Sequence, residues 1–512
     1  MIHVSHRQYF SYTAWCIAAV SLITAFYIYS ADIANVLQNA FQNKTAICKD
    51  CNILLVTIDS CSARNIGCYG YSRDTMTALC SFAEENIKFN RTFSTDTWTL
   101  PSHVSMFTGL YTSRHTVDVP NKDVLPDNIP LLSEVLNKSG YESIFYTPKL
   151  SVVLPASIYV RNTKQELPDS VDIKEALTAF KANVQSGKKT FMSVYSDENC
   201  HEPYTFPTSE RMYTNDTLPF YDDQKDLSKV NIFSEEFYEY LLQVLPDIIS
   251  RNDFFEKTYI VKELYSALSH AKNYESAKTV FYKILQNHGE NDSFFSHIHY
   301  VFAYDRHIDP QDVRQMEYFR ALYDEKLNEL DREIIPALVE VVQDDELNNN
   351  TILIITSEHG QEHGEHGVMG HKTMYDGNLH VPLVIRIPGI KNISIDQDTQ
   401  LTDIMPTILD AVGIQTPLKL DGISLIPYIR NTTKSVERML VTEHFRELAL
   451  RTGEWKLFAT RDVSTGEYIP YELYNTLHDP GENNNILFSN VPRAKSMIER
   501  YEREVRERPV LK

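Results

Sequence analysis

Apolar residues fall along the chain in short continuous runs and in longer periodic stretches, and the two patterns predict different elements. Residues 52–58, NILLVTI, 351–356, TILIIT, and 190–195, TFMSVY, are apolar runs of strand length. Such runs mark strands buried on both faces, as in a parallel sheet covered by helices. In contrast, Phe319, Tyr323, Leu327, Leu330, Ile334, Leu338 and Val341 recur at spacings of three and four. That spacing predicts a helix with one stripe on the sheet and with Glu317, Lys326, Glu333 and Glu340 in water. Residues 131–138, LLSEVLNK, then Gly140 and YESIFY, read as helix, stop and strand. The expected fold class is α/β, a mixed, mostly parallel central sheet flanked by helices.

Outside this core the pattern changes three times. Residues 12–31, YTAWCIAAVSLITAFYIYSA, carry no formal charge, and about 20 apolar residues suffice for a helix to span a bilayer. The stretch is read as a single-pass transmembrane anchor; the alternative is a cleaved signal peptide, whose apolar region ordinarily runs ~7–15 residues. Arg7 on the short side points to a cytoplasmic N-terminus and an extracytoplasmic main body. A helix-rich insertion occupies 205–305. After Leu420, short strands and turns such as LALRTGEWKLFAT predict a smaller C-terminal α+β subdomain ending in a charged helix. The expected division is an anchor over 1–35, a main domain over 50–418 and a subdomain over 419–512.

Composition narrows the partners. Of 512 residues, 43% are hydrophobic, with no repeat or low-complexity tract, so the chain is globular. A net charge of −20 without any Lys/Arg cluster excludes a nucleic-acid partner. Acidic enzymes still take anionic substrates where a metal ion reverses the local field. Cys16 lies in the anchor, and Cys48, Cys51, Cys61, Cys68, Cys80 and Cys200 lie beyond it. Cys48 and Cys51 form a CxxC without a second pair, which argues against structural zinc and leaves a short disulfide or two free thiols. Oligomeric state has no signature in the sequence.

Candidate chemistry gathers where the strands end, which is where open α/β sheets build their sites. Asp59 follows the first apolar run. The segment SEHGQEHGEHGVMGHK follows another, bringing Glu358, His359, Glu362, His363, Glu365, His366, His371 and Lys372 between glycines. Carboxylate beside imidazole at a strand end suits a divalent metal. A zinc-protease helix is excluded, because His359 is followed by Gly360, Gln361 and Glu362 rather than by the HExxH order. In TDTWTLPSHVSMFTGLYTSRH, Pro101 suits the first turn of a helix, placing Thr99 just before a helix N-terminus that favours an anion. Beside a metal, the Thr99 hydroxyl becomes a candidate nucleophile; otherwise it is a cap.

These residues resemble the sulfatase branch of the alkaline-phosphatase superfamily. The match runs through NILLVTIDS, GCYGY, TLPSHVSMFTGLYTSRH, HEPY, TSEHG, EHGVMGHKTMYDGNLHVPLVIR, LTDIMPTILDAVG and ALRTGEWKL. The resemblance implies an alkaline-phosphatase-like fold and one divalent ion, calcium, with manganese, magnesium or zinc as alternatives. It implies metal ligation by Asp59, Thr99, Glu358 and His359, with Thr99 as nucleophile and with His103 in place of a family Arg. It implies that His201, His371 and Lys372 contact the anionic group or protonate the leaving oxygen.

The departures also carry chemistry. Sulfatases have Cys or Ser, oxidised to formylglycine, where this chain has Thr99, and threonine cannot form that aldehyde. Ser60 stands for a second Asp, and Glu358 for an Asp. Three readings follow: a metal-dependent hydrolase or transferase of phosphate esters through Thr99, slightly favoured; a sulfuric ester hydrolase without formylglycine; and an inactive anchored ectodomain binding an anionic ligand.

Overall fold

The computed structural model describes residues 46–118, 125–146, 165–166, 173–196, 313–371, 373–431 and 437–506. The expected anchor, the insertion over 205–305, Cys200, His201 and Lys372 lie outside the described residues. No helix among the described residues is long and apolar enough to cross a membrane.

The three apolar runs form strands side by side at the centre of the main sheet. We number them in chain order as β1 (Asn52–Ile58), β5 (Lys189–Ser196) and β6 (Thr351–Thr356). The other strands of that sheet are β2 (Ile87–Phe93), β3 (Tyr141–Tyr146), β4 (Gln165–Glu166), β9 (His380–Arg386), β10 (Ile393–Ile395) and β11 (Thr399–Gln400). Their order is β10-β2-β9-β6-β1-β5-β3-β4, with β11 also on β2, while β7 (Glu362–His363) and β8 (Met369–Gly370) form a separate two-stranded sheet. Strand β1 is parallel to both neighbours, with Val56 opposite Val194 and Ile355. Among the described strands of this sheet only β9 is antiparallel, pairing with β2 and β6. The sheet is therefore mixed and mostly parallel.

Side-chain alternation along β1 feeds two cores, as the pleat requires. Ile53 and Leu55 join one cluster with Leu100, Val104 and Ile408, whereas Leu54, Val56 and Ile58 join the opposite one. The second cluster is closed by helix α1 (Val313–Gln343), whose Tyr323, Leu327, Leu330, Ile334 and Leu338 are all buried. Glu333 and Glu340 are exposed as expected. Lys326 is not: it is buried, with Nζ 2.8 Å from Glu329, because a lysine stem can cover apolar surface while its charge reaches a carboxylate.

A four-stranded antiparallel sheet follows, from β12 (Met439–His444), β13 (Glu447–Thr452), β14 (Trp455–Arg461) and β15 (Tyr468–Asn475). One face packs under helix α2 (Val491–Tyr501) through Val441, Leu450, Leu457, Met497 and Tyr501. On the other face, Leu440, Ala449 and Phe458 meet Phe93 and Leu379 of the main body. Between the two sheets, Asp376 receives Arg451 and Lys456. Disulfides join Cys48 to Cys51 and Cys68 to Cys80, and Cys61 is a buried free thiol.

Candidate active site

The carboxyl ends of β1 and β6 lie next to each other, so the residues after them meet. Asp59, Glu358 and His359 are buried, and one ligand atom from each lies within 4.8 Å of the others. The turn that holds Asp59 is shaped by Ser60, which adopts φ +52°, a left-handed conformation rare for a residue with a Cβ. Tyr323 of α1 secures it, its hydroxyl donating to the Ser60 carbonyl at 2.7 Å and accepting the Ser62 N–H at 2.8 Å. Across the site, Gly360 is required for space. A Cβ there would stand 2.3 Å from the Gly377 carbonyl, so only glycine lets the turn after His359 close.

The third element is a helix, α3, over Thr99–Thr108, with Trp98 as its N-cap. The expected start is thus shifted by one residue, since Thr99 is the first helical residue rather than the one preceding the helix. Its hydroxyl oxygen lies 3.3 Å from His359 Nε2 and 3.5 Å from Glu358 Oε1. The His359 Nδ1–H donates to the Gly360 carbonyl at 3.0 Å, which directs the Nε2 lone pair to the Thr99 and Glu358 side. Two carboxylates, an oriented imidazole and a hydroxyl form a donor set that fits a divalent cation. Burial and the Asp59 carboxylate push the Glu358 carboxyl well above the usual range, a penalty that a bound cation would reverse.

The remaining predicted residues divide. His371 is beside the site, its ring stacked on His359 at 4.5 Å and its Nδ1–H donating to the Thr97 carbonyl at 2.8 Å. His103 is buried behind Thr99, donating from Nδ1 to the Thr99 carbonyl at 2.8 Å and packing against Phe107 and Tyr195. Burial lowers its imidazole to about 4, so it is neutral at physiological pH. Its placement aligns the helix start. Ser102 supports the same loop, donating to the Asp96 carbonyl at 3.1 Å. The other loop histidines turn elsewhere: His366 pairs with Glu362 at 2.9 Å, and His363 packs on Tyr323.

Two residues escape the sequence reading. Asp96 is buried, and one of its oxygens accepts the Thr97 N–H at 2.7 Å, the Trp98 N–H at 3.0 Å and the His444 Nδ1–H at 2.9 Å. Asp96 has a local signal, an acidic residue just before a helix start. His444, at the end of β12, has none, because only the tertiary fold brings it to this loop.

Comparison with known proteins adds family evidence. The family model described as Sulfatase matches residues 51–414, and the one described as N-sulphoglucosamine sulphohydrolase, C-terminal, matches residues 364–508. Arylsulfatase K of Rattus norvegicus is 31% identical over 188 residues, 31% of this chain and 33% of the relative. The chain thus aligns with about a third of the length of that relative. Delta 4,5-hexuronate-2-O-sulfatase of Bacteroides thetaiotaomicron is 22% identical over 453 residues, 85% of this chain and 84% of the relative. Among solved structures, one bound to D-glucosamine-2-N,6-O-disulfate has a TM-score of 0.60 at 18% identity, covering 90% of this chain and 99% of that one. A phosphonate monoester hydrolase from Silicibacter pomeroyi has a TM-score of 0.58 at 19% identity, covering 89% and 96%. These structural likenesses establish the fold.

Proposed function

Because the chain belongs to the sulfatase family, we propose that it is a metal-dependent hydrolase of anionic esters with Thr99 as its nucleophile. The observation that carries this reading is the Thr99 hydroxyl within 3.5 Å of both His359 and Glu358 at the first turn of a ten-residue helix. The names of its relatives, arylsulfatase K and Delta 4,5-hexuronate-2-O-sulfatase, support a sulfuric ester as substrate.

Asp59, Glu358 and His359 would hold the cation, which would supply Lewis-acid stabilisation of charge near Thr99. Calcium is the ion the resemblance implies; the two carboxylates also suit manganese or magnesium, and the imidazole suits zinc. The Thr99 hydroxyl releases its proton to solvent, and its oxygen bonds to the tetrahedral centre as the bond to the ester oxygen breaks. The departing alcohol takes a proton from His371, His201 or Lys372. Backbone N–H groups at the helix start favour the anionic group through both steps. Water then displaces that group from Thr99, restoring the hydroxyl.

Thr99 itself favours a second reading, a phosphoric ester. Formylglycine hydrate can expel sulfate by collapsing to the aldehyde; a sulfo-threonine must instead be attacked at sulfur. A phospho-threonine is cleared by ordinary in-line attack of water at phosphorus. The neighbouring disulfides fit an oxidising compartment, in keeping with an anchor over 12–31 and an extracytoplasmic main body.

The test is a panel of aryl sulfate, phosphate, phosphodiester and phosphonate esters, each assayed with calcium, manganese, magnesium and zinc. Turnover of the sulfate supports the first reading, and turnover of phosphorus esters alone supports the second. A protein that is inert to all and binds no metal is an anion-binding ectodomain, and the enzymatic reading falls.

A further inference from the structure

A row of aromatic rings leads from the metal-ligand triad to solvent. His359 stacks on His371, and the Trp98 ring stands 6.5 Å from His371. Beyond it, Trp98 lies 5.5 Å from both His444 and Phe445, whose own rings are 4.3 Å apart. Phe445 ends the row with half its surface exposed.

Two features of this row are not explained by packing alone. Phe445 is the first residue of the two-residue turn between β12 and β13, where His444 pairs with Glu447, and it adopts φ +52°. That conformation in a tight hairpin ordinarily selects Gly, Asn or Asp, so an exposed aromatic ring there is held at a backbone cost. Secondly, Trp98 Nε1 is buried without a hydrogen-bond partner among the described residues. Asp96 ties the two halves together, since the same carboxylate oxygen accepts from His444 and from the N–H groups of Thr97 and Trp98. The hairpin tip is thereby fixed to the backbone immediately preceding Thr99.

We propose that Trp98, His444 and Phe445 form the wall that receives the alcohol half of the ester and selects a cyclic alcohol, laid face to face on the aromatic rings. This rests on the ester chemistry proposed above and assigns its specificity-determining residues. Aromatic faces bind the flat apolar face of an aryl or pyranose ring, while a few polar atoms fix its orientation. Trp98 Nε1 is the donor available to do so. Asp96 acts through His444 and is a positioning residue.

Equilibrium binding tests the wall without requiring turnover. Cyclohexylmethylphosphonate and n-heptylphosphonate, matched in carbon number, are titrated calorimetrically into the metal-loaded protein and into Phe445→Asn. Asparagine suits the left-handed turn, so this variant retains the hairpin. The cyclic probe is expected to bind more tightly to the parent, and the variant to lose about tenfold for it and less than about twofold for the linear probe. Phenylphosphonate and a pyranosylmethylphosphonate then identify the ring: tighter binding of either than of the linear probe supports the wall. Equal affinities in the parent, equal losses in the variant, or failure to bind any probe would overturn it. If selectivity is present but every ester in the turnover panel is inert, the hydrolase reading fails while the ring site stands.

Discussion

Asp376 and Lys456 meet at 2.6 Å in the boundary between the two sheets, both buried. Arg451 also bonds to the Asp376 carboxylate, and Arg451 and Lys456 hold its pKa well below the ordinary range against the cost of burial. Asp376→Asn leaves two buried cations short of an anion. Removing one partner of a buried pair costs about 3–5 kcal/mol. Glu482, also at Lys456, moderates the loss. The unfolding free energy of the variant in urea is expected to fall by about the lower figure; an unchanged midpoint would show that this cluster does not hold the sheets together.

Thr99→Ala is expected to reduce turnover by at least ~10³-fold with the far-ultraviolet circular dichroism preserved, as for loss of a nucleophile. Ser102→Ala should retain turnover within about tenfold, because its hydroxyl serves the Asp96 and Ser94 contacts of the loop. Full activity in the Thr99 variant removes it from the mechanism. Mass spectrometry of a trapped adduct should place the transferred group on the peptide containing Thr99.

Glu358 gives the cation site a pH dependence. Burial and Asp59 raise its carboxyl pKa in the metal-free protein. Its proton therefore competes with the ion, so affinity strengthens as pH rises and binding releases a proton. Calorimetry in buffers of different ionisation enthalpy reads that proton directly. Glu358→Gln and His359→Ala should purify without the ion by elemental analysis. Retention of a full equivalent by both would place the cation elsewhere.

His115 predicts a loss of stability in acid. Its Nδ1 accepts the Val117 N–H at 3.1 Å, while Nε2 lies 2.9 Å from the Ser105 hydroxyl, and burial lowers its pKa to about 3. The unfolded chain takes the proton first, near pH 6.5, so the contribution is complete above that pH and declines as pH falls toward 3. Between pH 7 and pH 5 the parent should lose about 2 kcal/mol more than His115→Gln. Identical slopes in paired urea titrations would contradict the assignment.

The central strands were legible because burial on both faces leaves an uninterrupted apolar signature. Chain ends of β1 and β6 located Asp59, Glu358 and His359 for the same reason. Pro101 announced the helix start, though not which residue would cap it. By contrast, Lys326 looked like a wet position because helical periodicity carries no record of an adjacent Glu329. The pairing of Cys68 with Cys80 is likewise set by the approach of a turn to a helix, which spacing does not encode. His444 lay beyond reach because its relation to Asp96 spans 348 positions and depends on one strand register.

The adjacency of β1 and β6 also bears on biosynthesis. Asn52 pairs with Thr351, and Ser60 donates to Glu358 across 298 positions. Loop-closure entropy must be overcome before such distant pairings are rewarded. On the ribosome, the leading strand therefore waits for most of the polypeptide to emerge before it acquires its inner neighbour. During that interval its exposed edge and both apolar faces are the surfaces on which molecular chaperones would act.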